Sequence, residues 1–186
     1  MQRQVSIKVG VAVLFVFLIG GLLIWYFIEK EQSFTTPQEA ILEVDPNLLL
    51  IPGYQLNDES LFFFINSHEN VGAVYAEKGI MGWKAGILTS GTSSFKQVAS
   101  NFNGFQSQDN LYYGVIELKN HQSLRMDDVE VRALNLTMMG QEVVEQYKLQ
   151  GLYIWYVELD RPGEQRTLQL IDEETDEVLD EIDIGA

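Results

Sequence analysis

Residues 61–76 read LFFFINSHENVGAVYA, and this stretch predicts an antiparallel hairpin. Two apolar runs rich in aromatic and branched residues, 61–65 and 71–76, enclose the polar segment 66–70, which is typical of two strands and their turn. A second turn is predicted at 77–79, and a third strand over about 82–89 would complete a meander. This part of the chain is therefore expected to be antiparallel β-structure.

The same pattern continues toward the C-terminus. The run 152–159, LYIWYVEL, is almost continuously apolar, which predicts a central strand that is covered on both faces or lies beside a packed layer. Further strands are predicted at 111–118, 129–136 and 141–148, and a terminal hairpin of 167–172 with 177–184 around the polar segment 173–176. The fold class we expect is mainly β, an antiparallel sandwich or partly open barrel with one short helix.

The short helix is predicted at 37–44. Thr36 offers a hydroxyl N-cap, Pro37 suits the first helical position, and Glu39 places an acid in the first turn. Asp45 should end the helix, because the residue before a proline disfavours the helical region. The following run 48–51 is predicted as a buried strand or as a segment packed over the base of the domain.

Residues 9–28 read VGVAVLFVFLIGGLLIWYFI and contain no charged residue. A helix of this length spans about 30 Å, the thickness of a bilayer core, and this one is apolar on every side. A cleaved signal peptide is the alternative, but its apolar region is about 7–15 residues long and ends at a small-residue site that is missing here. Arg3 and Lys8 flank the start, so the positive-inside rule puts the N-terminus in the cytoplasm.

These observations predict a single-pass protein of the cell membrane. Its parts would be a cytoplasmic tail (1–8), a transmembrane helix that contacts the lipid bilayer (9–28), a polar stalk (29–36) and an extracytoplasmic β-rich domain (37–186). The polar connection 91–108, with a turn of helix near 95–99, is where a subdivision of that domain would fall.

The charge of the chain restricts its partners. Its 186 residues include 27 acidic and 12 basic ones, for a net charge of -15, and all the acidic residues follow residue 28. A chain this acidic repels phosphates, so we expect no nucleic acid partner. There is no cysteine, which excludes disulfides, thiolate nucleophiles and cysteine-ligated metals.

Two segments, LFFFINSHENVGAVYAEKGIMGWK (61–84) and GLYIWYVEL (151–159) followed by LQLIDEETDEVLDEI (168–182), carry a resemblance. They are similar to a loose group of small exported, membrane-anchored, β-rich proteins of low-GC Gram-positive bacteria. That group typically has an N-terminal anchor, a phenylalanine-rich hairpin ending in E-K-x-x-x-G-W-K and a tryptophan-containing strand in the second half. The resemblance implies an envelope location and a β fold, and it assigns no catalytic residues.

Two aromatic segments are candidate binding surfaces. Trp83 and Lys84 lie among glycines and could stack on a sugar or pair with an anion, although a place for Trp83 in the core is the simpler interpretation. Tyr153 and Trp155 lie on one predicted strand, of which one face is core and the other could meet a partner. We expect these four residues to bind a ligand or partner if the domain has such a site.

Candidate chemistry elsewhere is weaker. Glu117, Glu158 and Asp160 could form a carboxylate pair for glycoside hydrolysis, and His68 and His121 could meet at a metal. The acidic tail 172–183 either binds a cation or is a solvated hairpin edge. No motif of nucleophilic catalysis occurs, so we predict no catalytic residue, metal or cofactor. The expected function is a non-enzymatic binding module with an envelope protein partner; the alternative is an envelope hydrolase that uses acidic residues.

Overall fold

The computed structural model describes residues 2–94, 102, 105–127, 129–161 and 163–185. Within these residues the chain forms three α-helices, a 3-10 helix and twelve strands. The helices are α1 (Gln2–Glu31), α2 (Pro37–Val44) and α3 (Gln141–Tyr147), and the 3-10 helix is Leu136–Met138. The strands are β1 (Leu49–Gln55), β2 (Glu59–Ile65), β3 (Asn70–Gly79), β4 (Gly82–Ala85), β5 (Thr89–Ser94), β6 (Gln106–Gln108), β7 (Leu111–Glu117), β8 (Gln122–Arg125), β9 (Arg132–Asn135), β10 (Leu152–Glu158), β11 (Arg166–Asp172) and β12 (Glu177–Ile184).

The strands form three antiparallel sheets. Sheet A has the order β1-β2-β3-β4, with β5 also paired to β3; sheet B has the order β6-β7-β10-β9; sheet C has the order β12-β11-β8. The expectation of a mainly β, antiparallel fold is therefore confirmed, as are the predicted hairpin of β2 with β3 and the terminal hairpin of β11 with β12.

The apolar residues divide into three clusters, and these show how the sheets stack. One cluster joins sheet A to sheet B, with Phe63 beside Tyr113 and Tyr156. A second joins sheet B to sheet C, and the third packs α2 on the outer face of sheet A. The layers are thus α2, sheet A, sheet B and sheet C. This is one sheet more than in a two-sheet sandwich, and it differs from the partly open barrel that was the other expected architecture.

Strand β10 is central, as its apolar sequence predicts. Its side chains alternate between the clusters: Ile154 and Tyr156 belong to the one shared with sheet A, and Trp155 and Val157 to the one shared with sheet C. It pairs with β7 on one side and β9 on the other. A strand covered on both faces has no polar face, and this explains the nearly continuous apolar run.

The helix over 37–44 is confirmed with both of its ends. The Thr36 hydroxyl accepts a hydrogen bond from the Glu39 backbone N–H (3.2 Å), and the Glu39 carboxylate accepts one from the Thr36 N–H (3.3 Å). This reciprocal arrangement is a capping box. Ala40 and Ile41 are buried against sheet A, and Asp45 is the C-cap.

The prediction of a strand over 141–148 is wrong, because this segment is α3. Val144 is buried, and Val143 and Tyr147 pack against the same cluster between sheets A and B. Positions three and four apart share one face of a helix, and this spacing outweighs the β propensity of the valines and the tyrosine. The single short helix expected in the domain is therefore corrected to two.

Several boundaries also differ from the expectation. Strand β3 continues through Gly79, so the second turn is at 80–81 and not at 77–79. The predicted third strand over 82–89 is divided into β4 and β5, and β5 extends into the segment predicted as a connection. The turn of helix predicted near 95–99 lies outside the described residues.

Helix α1 contains the whole apolar stretch 9–28 and ends at Glu31. Its side chains are described at Phe15 and from Phe17 onward. Over the described residues, no helix has both the length and the apolarity needed to cross a membrane.

Candidate functional site

A row of three paired residues crosses sheet A. Leu61 of β2 pairs with Tyr54 of β1 on one side and with Tyr75 of β3 on the other. Directly paired residues project from the same face of a sheet, and Leu61 belongs to the cluster shared with sheet B. Both tyrosines are half-buried against this cluster. They therefore face sheet B.

Glu158, the last residue of β10, meets these tyrosines from sheet B. The Tyr75 hydroxyl lies 2.8 Å from Glu158 Oε1, and the Tyr54 hydroxyl lies 3.0 Å from the same atom. The Tyr54 hydroxyl is also 2.7 Å from Glu59 Oε1. We call Tyr54, Glu59, Tyr75 and Glu158 the tyrosine–glutamate cluster.

The tyrosine–glutamate cluster has more acceptors than donors. Each tyrosine has one hydroxyl hydrogen, and an ionised carboxylate only accepts hydrogen bonds. The Tyr54 hydroxyl cannot donate at full strength to Glu59 and Glu158 together. Several lone pairs thus remain for a group that brings its own hydrogens.

The surroundings of the tyrosines favour their neutral form. Burial is the largest cause that raises the pKa of Tyr54 above its ordinary value. The hydrogen bond to Glu59 and the charge of Glu158 raise this pKa further. Burial likewise raises the pKa of Tyr75, and the hydrogen bond to Glu158 adds to the shift. Both hydroxyls therefore keep their hydrogens through the physiological pH range.

The cluster forms one wall of a cleft with a volume of about 420 Å³. Two further acids, Glu77 and Asp109, and two amides, Gln108 and Asn110, line it together with Ile87. The register that pairs Glu59 with Glu77 puts both carboxylates on the face of sheet A that carries the tyrosines. The cleft therefore combines four carboxylates with two aromatic rings and an exposed isoleucine.

The guanidinium group of Arg132 lies near two tyrosine rings at this site. Arg132 Cζ is 6.0 Å from the ring centroid of Tyr54 and 5.9 Å from that of Tyr156. Cations are attracted to the faces of such rings. The same chemistry on the cleft side would suit an ammonium or guanidinium group.

Trp83 and Lys84 are neighbours on β4 with different environments. Trp83 is 5% exposed and packs in the cluster beneath α2, with Lys78 Nζ 5.9 Å from its ring centroid. Lys84 Nζ lies 2.6 Å from Glu29 Oε1, in an ion pair with the end of α1. Their contacts are with the core and with α1.

Tyr153 and Trp155 lie on β10, in a different cluster from Trp83. Trp155 is fully buried between sheets B and C. The Tyr153 hydroxyl accepts a hydrogen bond from Asn135 Nδ2 at 3.1 Å. Tyr153 and Trp155 thus share one cluster, whereas Trp83 and Lys84 contact different groups, and the structure does not join the two pairs in one site.

Only Glu158 of the three candidate hydrolytic acids lines the cleft. Glu158 at the end of β10 pairs with Leu111 at the start of β7, and Glu117 at the end of β7 pairs with Leu152 at the start of β10. The two acids are therefore at opposite ends of this strand pair. Asp160 is exposed in the loop after β10.

The two histidines have different neighbours, and the neighbour of His121 belongs to the acidic tail. His68 Nδ1 is 3.4 Å from Ser67 Oγ, whereas His121 Nδ1 is 3.3 Å from Glu174 Oε1. Asp176 in the tail pairs with Arg125 at 2.8 Å. In the part of the chain that the structure describes, no group of three or more histidine or acidic side chains could hold a metal ion.

Sequence reasoning missed Tyr54, Glu59 and Tyr75. The pairing of β2 with β3 could be predicted, because counting outward from the turn at 66–70 pairs Leu61 with Tyr75 and Glu59 with Glu77. The contact with Glu158 could not be predicted. Glu158 follows the two tyrosines by about 80 and 100 residues, and the contact depends on how sheets A and B stack.

Comparison with known proteins adds no assignment to this geometry: no family model, no curated protein and no solved structure matches the chain.

Proposed function

We propose that this chain is a single-pass membrane protein that holds a β-rich domain at the outer face of the cytoplasmic membrane. The observation that carries the proposal is the exposure of α1. All eight residues from Gly21 to Ile28 are exposed, and eight successive positions cover every side of a helix. Phe17 is 76% exposed and Phe27 61%. Leaving such apolar surface in water costs about 25 cal/mol per Å², a cost that lipid around the helix would remove.

Membrane extraction tests the anchor. Full-length protein should sediment with membranes, resist extraction by alkaline carbonate and dissolve in detergent. Replacing Leu18 and Leu22 by Lys should release the protein, because a charged residue in mid-bilayer costs about 2.5–3.5 kcal/mol. Carbonate-soluble wild-type protein would contradict the proposal.

The domain's role in this proposal is to bind another component of the cell envelope through the cleft beside the tyrosine–glutamate cluster. Four carboxylates and two tyrosine rings suit a ligand that presents a positively charged, hydrogen-donating group, such as a lysine or arginine side chain of a protein. The domain's acidity supports the same choice, since it attracts cationic surfaces at long range.

Crosslinking tests this binding. A partner captured by the wild-type protein in membranes should be lost in Glu158→Gln, which removes one cleft charge, and kept in Glu117→Gln, which removes a charge from the other end of the same strand pair. Equal capture by both variants would contradict the cleft as the binding site.

One observation favours the alternative, an envelope hydrolase. Glu59 and Glu158 both lie within hydrogen-bonding distance of the Tyr54 hydroxyl, so their carboxylates are close enough to resemble the paired acids of glycoside hydrolysis. Purified protein that releases soluble fragments from cell-wall glycan, and loses this activity in Glu59→Gln, would support the alternative and displace the binding proposal.

A further inference from the structure

The junction between α1 and the β-rich domain is tightly connected. Lys84 forms its ion pair with Glu29, the Ser33 hydroxyl donates to the Glu29 carbonyl at 2.7 Å, and Phe34 exchanges backbone hydrogen bonds of 2.9 and 2.8 Å with Trp83. The segment 29–36, expected to be a simple polar stalk, is therefore attached to β4 at two points, Glu29 and Phe34. This attachment sets where the domain lies relative to the end of the helix.

The turn between β3 and β4 lies beside that helix end. A methyl group at Gly79 would be 3.7 Å from Glu29 Oε1, and a Cβ at Gly82 would collide with the Phe34 carbonyl oxygen. Trp25 and Tyr26 precede Glu29 by one helical turn and are exposed, 48% and 39%. Tryptophan and tyrosine at such positions mark the level of the membrane interface.

The turn has the composition of a membrane-contacting loop. Residues 78–84 read KGIMGWK, with two lysines and no acid, in a chain that has more than twice as many acidic as basic residues. Ile80 at the tip is 85% exposed. Lys84 is paired with Glu29, whereas Lys78 is exposed, with its Nζ 5.9 Å from the Trp83 ring centroid, and carries the charge for anionic headgroups.

We propose that the β3–β4 turn is a second membrane contact, with Ile80 inserted among the lipid headgroups and Lys78 facing anionic lipid. This inference rests on the proposed anchoring of α1. A helix alone would let the domain rotate and tilt. A second contact point would fix one side of the domain toward the bilayer and hold the cleft in a constant orientation.

Depth-dependent quenching tests the inference, and the absence of cysteine makes single labels straightforward. Full-length Ile80→Cys, Ile87→Cys and Leu18→Cys would each carry an environment-sensitive fluorophore, in vesicles of phosphatidylcholine and phosphatidylglycerol with spin-labelled lipid. Ile87 is the matched control, because it is 81% exposed but lines the cleft. Circular dichroism would verify that each variant is folded.

The expected result is strong quenching at positions 18 and 80 and weak quenching at position 87, with the label at 80 about 5–10 Å deep. Quenching at 18 without quenching at 80 would overturn the second contact and leave the anchor standing. Absence of quenching at both would overturn the anchor. A blue shift at position 80 without quenching by lipid would indicate a protein contact, such as a second copy, and would also overturn the inference.

Discussion

Glu158 is the residue on which the cleft depends, and the tyrosines that contact it report its charge. Replacing Glu158 by Gln removes the negative charge beside both hydroxyls and keeps an acceptor oxygen there. The pKa values of Tyr54 and Tyr75 should therefore fall. Ultraviolet titration of tyrosinate should show these two groups ionising at lower pH in Glu158→Gln. Glu117→Gln, whose carboxylate is at the other end of β10, should leave the titration unchanged.

Tyr113 and the two tyrosines of the cluster set the response of the fold to alkali. Burial raises the pKa of Tyr113 to about 12 and shifts those of Tyr54 and Tyr75 further. A raised pKa means that the folded state holds its proton more tightly than the unfolded state, whose tyrosines ionise near 10. The contribution of these tyrosines to stability should therefore be constant below about pH 10 and decrease above it. Denaturation with urea between about pH 9 and about pH 11, one unit either side of the ordinary tyrosine value, measures this, and a constant midpoint would contradict it.

Gly114 lies directly under Trp155 in the core between sheets B and C. A Cβ at Gly114 would be 2.8–2.9 Å from three atoms of the Trp155 indole, which is fully buried. Gly114→Ala should lower the free energy of unfolding by about 1–3 kcal/mol. Gly79→Ala is the control, since its new methyl group would have only ordinary contacts. Equal effects of the two variants in urea denaturation would contradict this packing.

Helix α2 shows which elements local sequence determines. Its capping residue, its first-position proline and its end before Pro46 are all local signals, and the structure has each of them. Thr36→Ala should cost about 1 kcal/mol of stability, because one N–H of the first turn loses its acceptor, and Thr36→Ser should recover most of it. Thermal unfolding measures both, and equal melting temperatures for Ala and Ser would contradict the capping role.

Helix α3 shows where local sequence misleads. Val143, Val144 and Tyr147 favour a strand by propensity, and only the core between sheets A and B shows that they share one helical face. By contrast, β10 was predictable as a central strand, because a strand buried on both faces is apolar at successive positions. Contacts between adjacent residues could be anticipated, whereas contacts between layers could not.

The stacking of sheet A on sheet B forms the cleft. The tyrosine–glutamate cluster needs the ends of sheets A and B to meet, which no local pattern in the sequence encodes. The antiparallel sheets, by contrast, follow from alternation and turn residues. The candidate binding residues Trp83, Lys84, Tyr153 and Trp155 were chosen for being aromatic or basic, and such residues are equally useful in a core.

Membrane topology decides on which side of the membrane the β-rich domain lies, and therefore which partners its cleft can meet. Met138 is 86% exposed and far along the chain from α1, and the native sequence has no cysteine, so Met138→Cys gives a single reporter on the domain. A membrane-impermeant maleimide applied to intact, wall-stripped cells should label this variant as fully as it does after permeabilisation. Labelling only after the membrane has been permeabilised would place the domain inside the cell and contradict the account.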